Sequence, residues 1–194
     1  MNEITADLIL DTALELAESS SWERLHLYRL ASRLNITLDQ IRQYFPQKDD
    51  LVEAWFDRAD AAVLEFNPSG EFLSLAKSDL LEHVMMLWLD RLSSHHRITR
   101  QMMAYTLEFG HLHLQVQGIL RVSRTVQWFR EAARLETTGL CRIVGETVLT
   151  SIYLLTFAYW LTDDSRGQQN TRAFLKKHLK RTQRLSRMAV LLET

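Results

Sequence analysis

The sequence predicts an all-α protein of about nine helices: an N-terminal three-helix head of helix-turn-helix type, then a larger helical bundle. Three observations carry this. Two prolines and six glycines in 194 residues leave little turn chemistry, and sheets need many turns. Apolar residues make up 46% of the chain, enough for a sizeable core. They recur at i, i+3, i+4 spacing, and no segment keeps the alternation of a strand.

Ile4, Leu8, Ala13, Leu14 and Ala17 define a first helix over about 5–18, ended by Ser19-Ser20-Ser21. Trp22 follows as an isolated bulky plug. Leu27, Leu30, Ala31 and Leu34 give a short second helix. Asn35 tolerates the left-handed conformation and marks a turn. Thr37 and Gln40 then fit a capping box, which starts a third helix over about 38–44. Phe45-Pro46 stops it, because the residue before proline is pushed out of the helical region. A fourth helix over about 48–66 buries Leu51, Trp55, Ala59, Ala62, Val63 and Phe66. Asn67-Pro68-Ser69-Gly70 is the clearest break. Five further helices are predicted over about 72–93, 97–108, 112–135, 139–162 and 170–193. The expected domains are a helix-turn-helix domain over 1–48 and a ligand-binding and dimerisation domain over 49–194.

Composition narrows the function classes. The one cysteine, Cys141, excludes an internal disulfide framework and is expected to be a buried thiol in a reducing compartment. The N-terminal stretch carries Glu3 and Asp7 and no basic residue, unlike a signal or transit peptide. The longest uncharged run, Thr147 to Thr162, is sixteen residues and rich in Thr. A spanning helix needs about 20 apolar residues, so a core helix is expected, no transmembrane segment, and a cytoplasmic protein. His95-His96, His111 and His113 lack accompanying cysteines or clustered carboxylates, so no metal is expected. No phosphate loop, nucleophile elbow or catalytic carboxylate pair is present, so neither enzyme activity nor a cofactor is expected. Residues 1–70 hold six basic residues against thirteen acidic, yet residues 24–48 hold five basic residues and one acid, Asp39. The predicted corner is therefore locally positive.

A short helix, a tight turn and a capped second helix form the pattern in which the second helix enters the major groove. Leu30-Ala31, Leu34-Asn35-Ile36-Thr37, Ile41, Tyr44-Phe45-Pro46, Lys48 and Leu51 add residue order to that pattern. Over about residues 8–55 the chain closely resembles the N-terminal domain of TetR-type regulators. The resemblance implies that Tyr44 and Lys48 grip phosphates, and that Thr37, Leu38, Asp39, Gln40 and Gln43 lie on the reading helix. Gln40 and Gln43 would pair with adenine edges. Arg42 stands where that family has a tyrosine and could still bind phosphate. Asp39 replaces a small residue, His26 stands at the usual capping threonine, and the first helix lacks its leading basic residue.

A second resemblance covers the C-terminal half. Val122 to Phe129, Phe157 to Ser165, Thr171 and Phe174-Leu175, with Trp22 and Trp55 to Asp60, look like the lipid-binding accessory protein of ubiquinone biosynthesis, itself TetR-like in fold. Residues 166–192 hold eight basic residues and no acid, the face of a dimerising helix or an anionic contact. The resulting expectation is a homodimer through the two C-terminal helices. It would bind a palindromic double-stranded DNA operator as a repressor and release it on taking up a small apolar effector. The alternative is a lipid-binding protein of ubiquinone biosynthesis with a vestigial head. Candidate effector contacts are Met86, Trp88, Met102, Met103, Tyr105, Phe109, Trp128 and Trp160, adaptable methionines and large aromatics.

Overall fold

Thr5 opens the first helix, α1 (Ala6–Ser19): its hydroxyl accepts from the Leu8 amide at 3.2 Å, satisfying a donor that a helix start leaves bare. The computed structural model describes residues 3–106 and 112–192. Eight more α-helices follow among them: α2 (Leu27–Leu34), α3 (Leu38–Tyr44), α4 (Lys48–Glu65), α5 (Lys77–Ser93), α6 (His96–Thr106), α7 (Leu112–Ala132), α8 (Gly139–Trp160) and α9 (Gln169–Leu192). The described residues contain no strand. The all-α expectation therefore holds, with one local correction. The break at Asn67-Pro68 extends further than expected, through a 3-10 turn at Gly70–Ser74, and α5 begins only at Lys77. Gly70 has φ 56°, a conformation that an L side chain rarely adopts.

The chain divides into two compact units, Met1–Ala59 with Leu92–Gly118, and Asp60–Arg91 with Ile119–Thr194. In the first, α1 buries Ile9, Leu10, Ala13, Leu14 and Ala17, the inward stripe of an amphipathic helix. Trp22 is fully buried, as its isolation predicted, and Leu30, Ile41, Leu51, Trp55, Ile98 and Met102 complete the core. Polar ties fix the helices around that core. The Trp22 amide donates to Gln101 Oε1 at 2.7 Å, and Trp55 Nε1 donates to Thr99 Oγ1 at 2.9 Å. Arg58 of α4 pairs with Asp7 at 2.7 Å and also with Asp11. Two of the α1 acids are thus neutralised within the protein.

The second unit is built on aromatics. Trp88 meets Phe129, Tyr153 and Phe157 edge to face, with centroids 5.4–6.3 Å apart, a favoured arrangement of ring quadrupoles. Asp60, 4% exposed, accepts from Trp88 Nε1 at 2.8 Å and Thr125 Oγ1 at 2.9 Å. Its other oxygen lies 3.5 Å from Arg121, itself buried. Burial pushes the Asp60 carboxyl above its ordinary range, against the pull of those donors and cations. Glu82, also buried, lies 3.7 Å from Lys176 of α9.

Asp163 ties the α8–α9 connection. Its carboxylate accepts from the Ser165 amide at 2.9 Å and from the Thr171 amide and hydroxyl at 2.9 and 2.6 Å. Partial burial pushes its pKa up, but the bonds from Thr171 and Ser165 outweigh it and hold the group at about 2, below the ordinary 3.8. Between those values the unfolded chain binds the proton and the folded chain does not. The stabilisation is therefore complete above the ordinary value and is lost as pH falls toward the lower one. We expect the urea midpoint of Asp163→Asn to lie below wild type at pH about 6, with the gap narrowing below pH about 4 and closing only near pH about 2. A gap independent of pH would contradict the assignment.

Candidate nucleic-acid interface

The corner between α2 and α3 is set by local chemistry. Leu30 and Ala31 seat α2 on the core. Asn35 takes the left-handed conformation, φ 54° and ψ 46°, and the Ile36 amide donates back to Ala31 O at 3.0 Å. Thr37 then caps α3: its hydroxyl accepts from the Gln40 amide at 3.2 Å, while Gln40 Oε1 accepts from the Thr37 amide at 3.0 Å. This is the capping box that the spacing predicted. His26, at the corresponding start of α2, makes no side-chain cap bond.

Only Ile41 of α3 is buried. Thr37, Leu38, Asp39, Gln40, Arg42, Gln43 and Tyr44 are exposed, so the helix shows a full outer face. Much of its polarity is already engaged. Arg42 Nη2 donates to Asp39 Oδ1 at 2.7 Å, and Gln43 Nε2 donates to Asp39 Oδ2 at 3.3 Å. The Arg42 bond first, and then that of Gln43, holds the Asp39 carboxyl below the usual carboxylate range. The Tyr44 hydroxyl donates to Ile4 O at 2.8 Å.

Lys48, to which the resemblance gives a phosphate contact, has close partners within the protein. It is half-buried, and its Nζ donates to Trp22 O at 2.7 Å and to Glu23 O at 3.3 Å. The ammonium also lies 5.1 Å from the Trp22 ring and 5.5 Å from the Tyr105 ring, within cation–π range. Burial lowers its pKa. Lys48 thus stitches the start of α4 to the loop after α1 and to α6. Lys48→Met keeps the stem and removes the charge. It is expected to cost about 1.5–3 kcal/mol in urea unfolding, the worth of a charged hydrogen bond. The folded fraction should retain DNA as wild type does. Undiminished stability with lost retention would restore the phosphate role.

A feature that the sequence reading passed over lies on α2. His26 and Tyr28 stack with centroids 5.5 Å apart, and Arg29 lies over the Tyr28 ring at 5.9 Å, its Nε donating to the hydroxyl at 3.2 Å. Arg24, Arg29 and Arg33 are all exposed. The i, i+4 spacing of Arg29 and Arg33 was the available signal, since residues four apart share a helix face.

The candidate effector residues do not gather in one compact unit. Met102, buried, and Met103 and Tyr105, half-buried, belong to the first; Met86, Trp88 and Trp160, buried, and Trp128, half-buried, belong to the second. Phe109 lies outside the described residues. Trp160 Nε1 donates to Gln168 Oε1 at 2.6 Å, a structural use. Cys141, expected to be buried, is exposed on the first turn of α8. By length and composition α8 could cross a membrane, the one such helix among the described residues. It nevertheless buries Leu149, Ile152, Tyr153, Thr156, Phe157 and Trp160 within its unit, as a core helix does.

A second helix displayed outward from a left-handed corner, with its cap intact, defines a helix-turn-helix protein. The chain is 48% identical to a TetR transcriptional regulator from Nitrosomonas europaea over 90% of its own length and 95% of that chain, with a TM-score of 0.79. It belongs to the TetR family of transcriptional regulators. A TetR regulator from a Rhodococcus species shares the fold at 19% identity, with a TM-score of 0.68 over 90% of this chain and 93% of that one. Residues 147–186 match the COQ9 family model. No curated protein matches.

Proposed function

We propose that the protein is a homodimeric DNA-binding regulator in the cytoplasm that lays α3 in the major groove of a palindromic operator. One observation carries this reading: the outer face of α3 is exposed along its length, while its inner face is anchored by Ile41 alone. Nothing about folding requires seven successive positions to show six exposed side chains, whereas groove entry does. The phosphate contacts assigned by resemblance to Tyr44 and Lys48 pass to Arg24, Arg29 and Arg33. These exposed cations lie on α2 and just before it, and make no ion pair among the described residues. Arg29 is held in place by Tyr28, so less side-chain entropy is lost on docking.

Dimerisation is supported by α8. Leu140, Ile143, Val144, Leu154 and Leu155 are 44–80% exposed and recur at helical spacing, with Thr147 and Ser151 between them and Ala158 just beyond. Such a stripe buried against its twin is a self-complementary interface. Repression relieved by a small apolar effector is the regulatory form we favour. Such an effector acts by binding one head spacing better than the other.

The test is selection of genomic fragments by the purified protein at low salt. Enrichment of a two-fold symmetric site supports the regulator. The COQ9 match over residues 147–186 favours a second reading, a lipid carrier of ubiquinone biosynthesis. No enriched site, together with an isoprenoid lipid co-purifying in mass spectra, would favour that reading instead.

A further inference from the structure

We infer that base readout by α3 rests on an apolar contact, in which Leu38 meets the 5-methyl group of a thymine. The inference builds on the DNA-binding reading and adds which base feature is read. It follows from what the outer face of α3 has left to offer.

The polar side chains on that face are engaged with one another. Gln40 Oε1 accepts from the Thr37 amide at 3.0 Å and from its hydroxyl at 3.3 Å. Arg42 donates to Asp39 through Nε at 3.2 Å and Nη2 at 2.7 Å. Gln43 donates to the other Asp39 oxygen at 3.3 Å. The Asp39–Arg42 pair also cancels the two charges that α3 carries. Adenine reading by Gln40 or guanine reading by Arg42 would first have to break these bonds.

Leu38 is different. It is 52% exposed and lies between the Thr37 cap and the Asp39–Arg42 pair. It is not needed inside, because Ile41 and Phe45, at 0% and 5% exposure, fill the space beneath α3. A branched apolar side chain displayed on an otherwise self-satisfied polar face fits a partner with an apolar feature. In the major groove that feature is the thymine methyl, which no other base pair component presents. Covering one methyl-sized group is worth about fourfold in affinity per half-site, so about fifteenfold for a symmetric dimer.

The experiment uses a fragment enriched by the full-length protein. Each symmetry-related pair of thymines is replaced in turn by deoxyuridine, which removes the methyl and leaves the base pairing intact. Fluorescence anisotropy then gives the affinity. For the wild type, one pair is expected to weaken binding by about fifteenfold. Leu38→Ala, at an exposed position, is expected to fold and dimerise normally by circular dichroism and sedimentation. It should bind the thymine and deoxyuridine forms of that pair equally. Wild-type binding indifferent to every replacement, or Leu38→Ala as sensitive as wild type, would overturn the assignment while leaving DNA binding intact. If no fragment is enriched at all, the DNA reading falls and this inference falls with it.

Discussion

A protein carrying Val144→Glu and Leu155→Glu is expected to sediment as a monomer and to bind its operator at least about a hundredfold more weakly, the loss that accompanies bivalent engagement becoming monovalent. Val144 is 62% and Leu155 54% exposed within the protomer, so neither substitution disturbs its core. Both lie on the apolar stripe of α8, whose charged residues among positions 139–160 are Arg142 and Glu146. Those two pair within the helix at 3.5 Å, and Glu146 is also held by Arg130 at 3.4 Å. A glutamate introduced into the buried centre of a two-fold interface meets its own copy, with no free cation on the stripe to answer it. Unpaired burial of that kind costs several kcal/mol. The far-UV circular dichroism of the variant should match wild type, since the core of the protomer is untouched. A dimeric double variant would place the interface elsewhere.

Asp60→Ala is expected to remove about 3–5 kcal/mol of stability, the range for breaking a buried ionic cluster from one side. Trp88 and Thr125 are both fully buried and donate to the same Asp60 oxygen. The substitution strands both donors at once and withdraws the carboxylate that lies 3.5 Å from Arg121. A stranded buried donor costs about 1–3 kcal/mol, so the expected total follows from the two donors alone. Total stability of a domain is about 5–15 kcal/mol, and the variant stands near the edge of folding. Thr125→Val is the graded companion: it removes one donor, keeps the shape, and is expected to cost about 1 kcal/mol. Urea unfolding measures both. A loss below that of Thr125→Val for Asp60→Ala would mean that the cluster is not under tension from burial.

The parts of the fold that the sequence revealed are those written locally. The left-handed turn at Asn35 and the Thr37–Gln40 capping box each involve residues within five positions of one another, so residue type alone announces them. Helix spans were readable because the apolar stripes repeat along α1, α2 and α4. The internal partners of Lys48 and Tyr44 were not readable. Their partners are Trp22 and Glu23, 26 and 25 residues away, and Ile4, 40 residues away, and no local pattern encodes such contacts. Arg42 and Asp39, three apart on one helix, were readable in principle as a pair. The exposure of Cys141 escaped notice for a further reason: an apolar stripe on α8 looks the same whether it faces its own core or a twin. That Met102 and Tyr105 belong to one compact unit and Trp88 and Trp160 to the other is tertiary information, absent from helical periodicity.

The central claim is that the α2–α3 corner sits on a polyanion. Its most direct test is the salt dependence of affinity for an enriched fragment, measured between about 50 and about 200 mM. Three phosphate contacts per subunit, from Arg24, Arg29 and Arg33, give an expected log–log slope of about −5, and Arg29→Ala should make it shallower by about two in the dimer. A slope near zero, or one that Arg29→Ala leaves unchanged, would contradict the account.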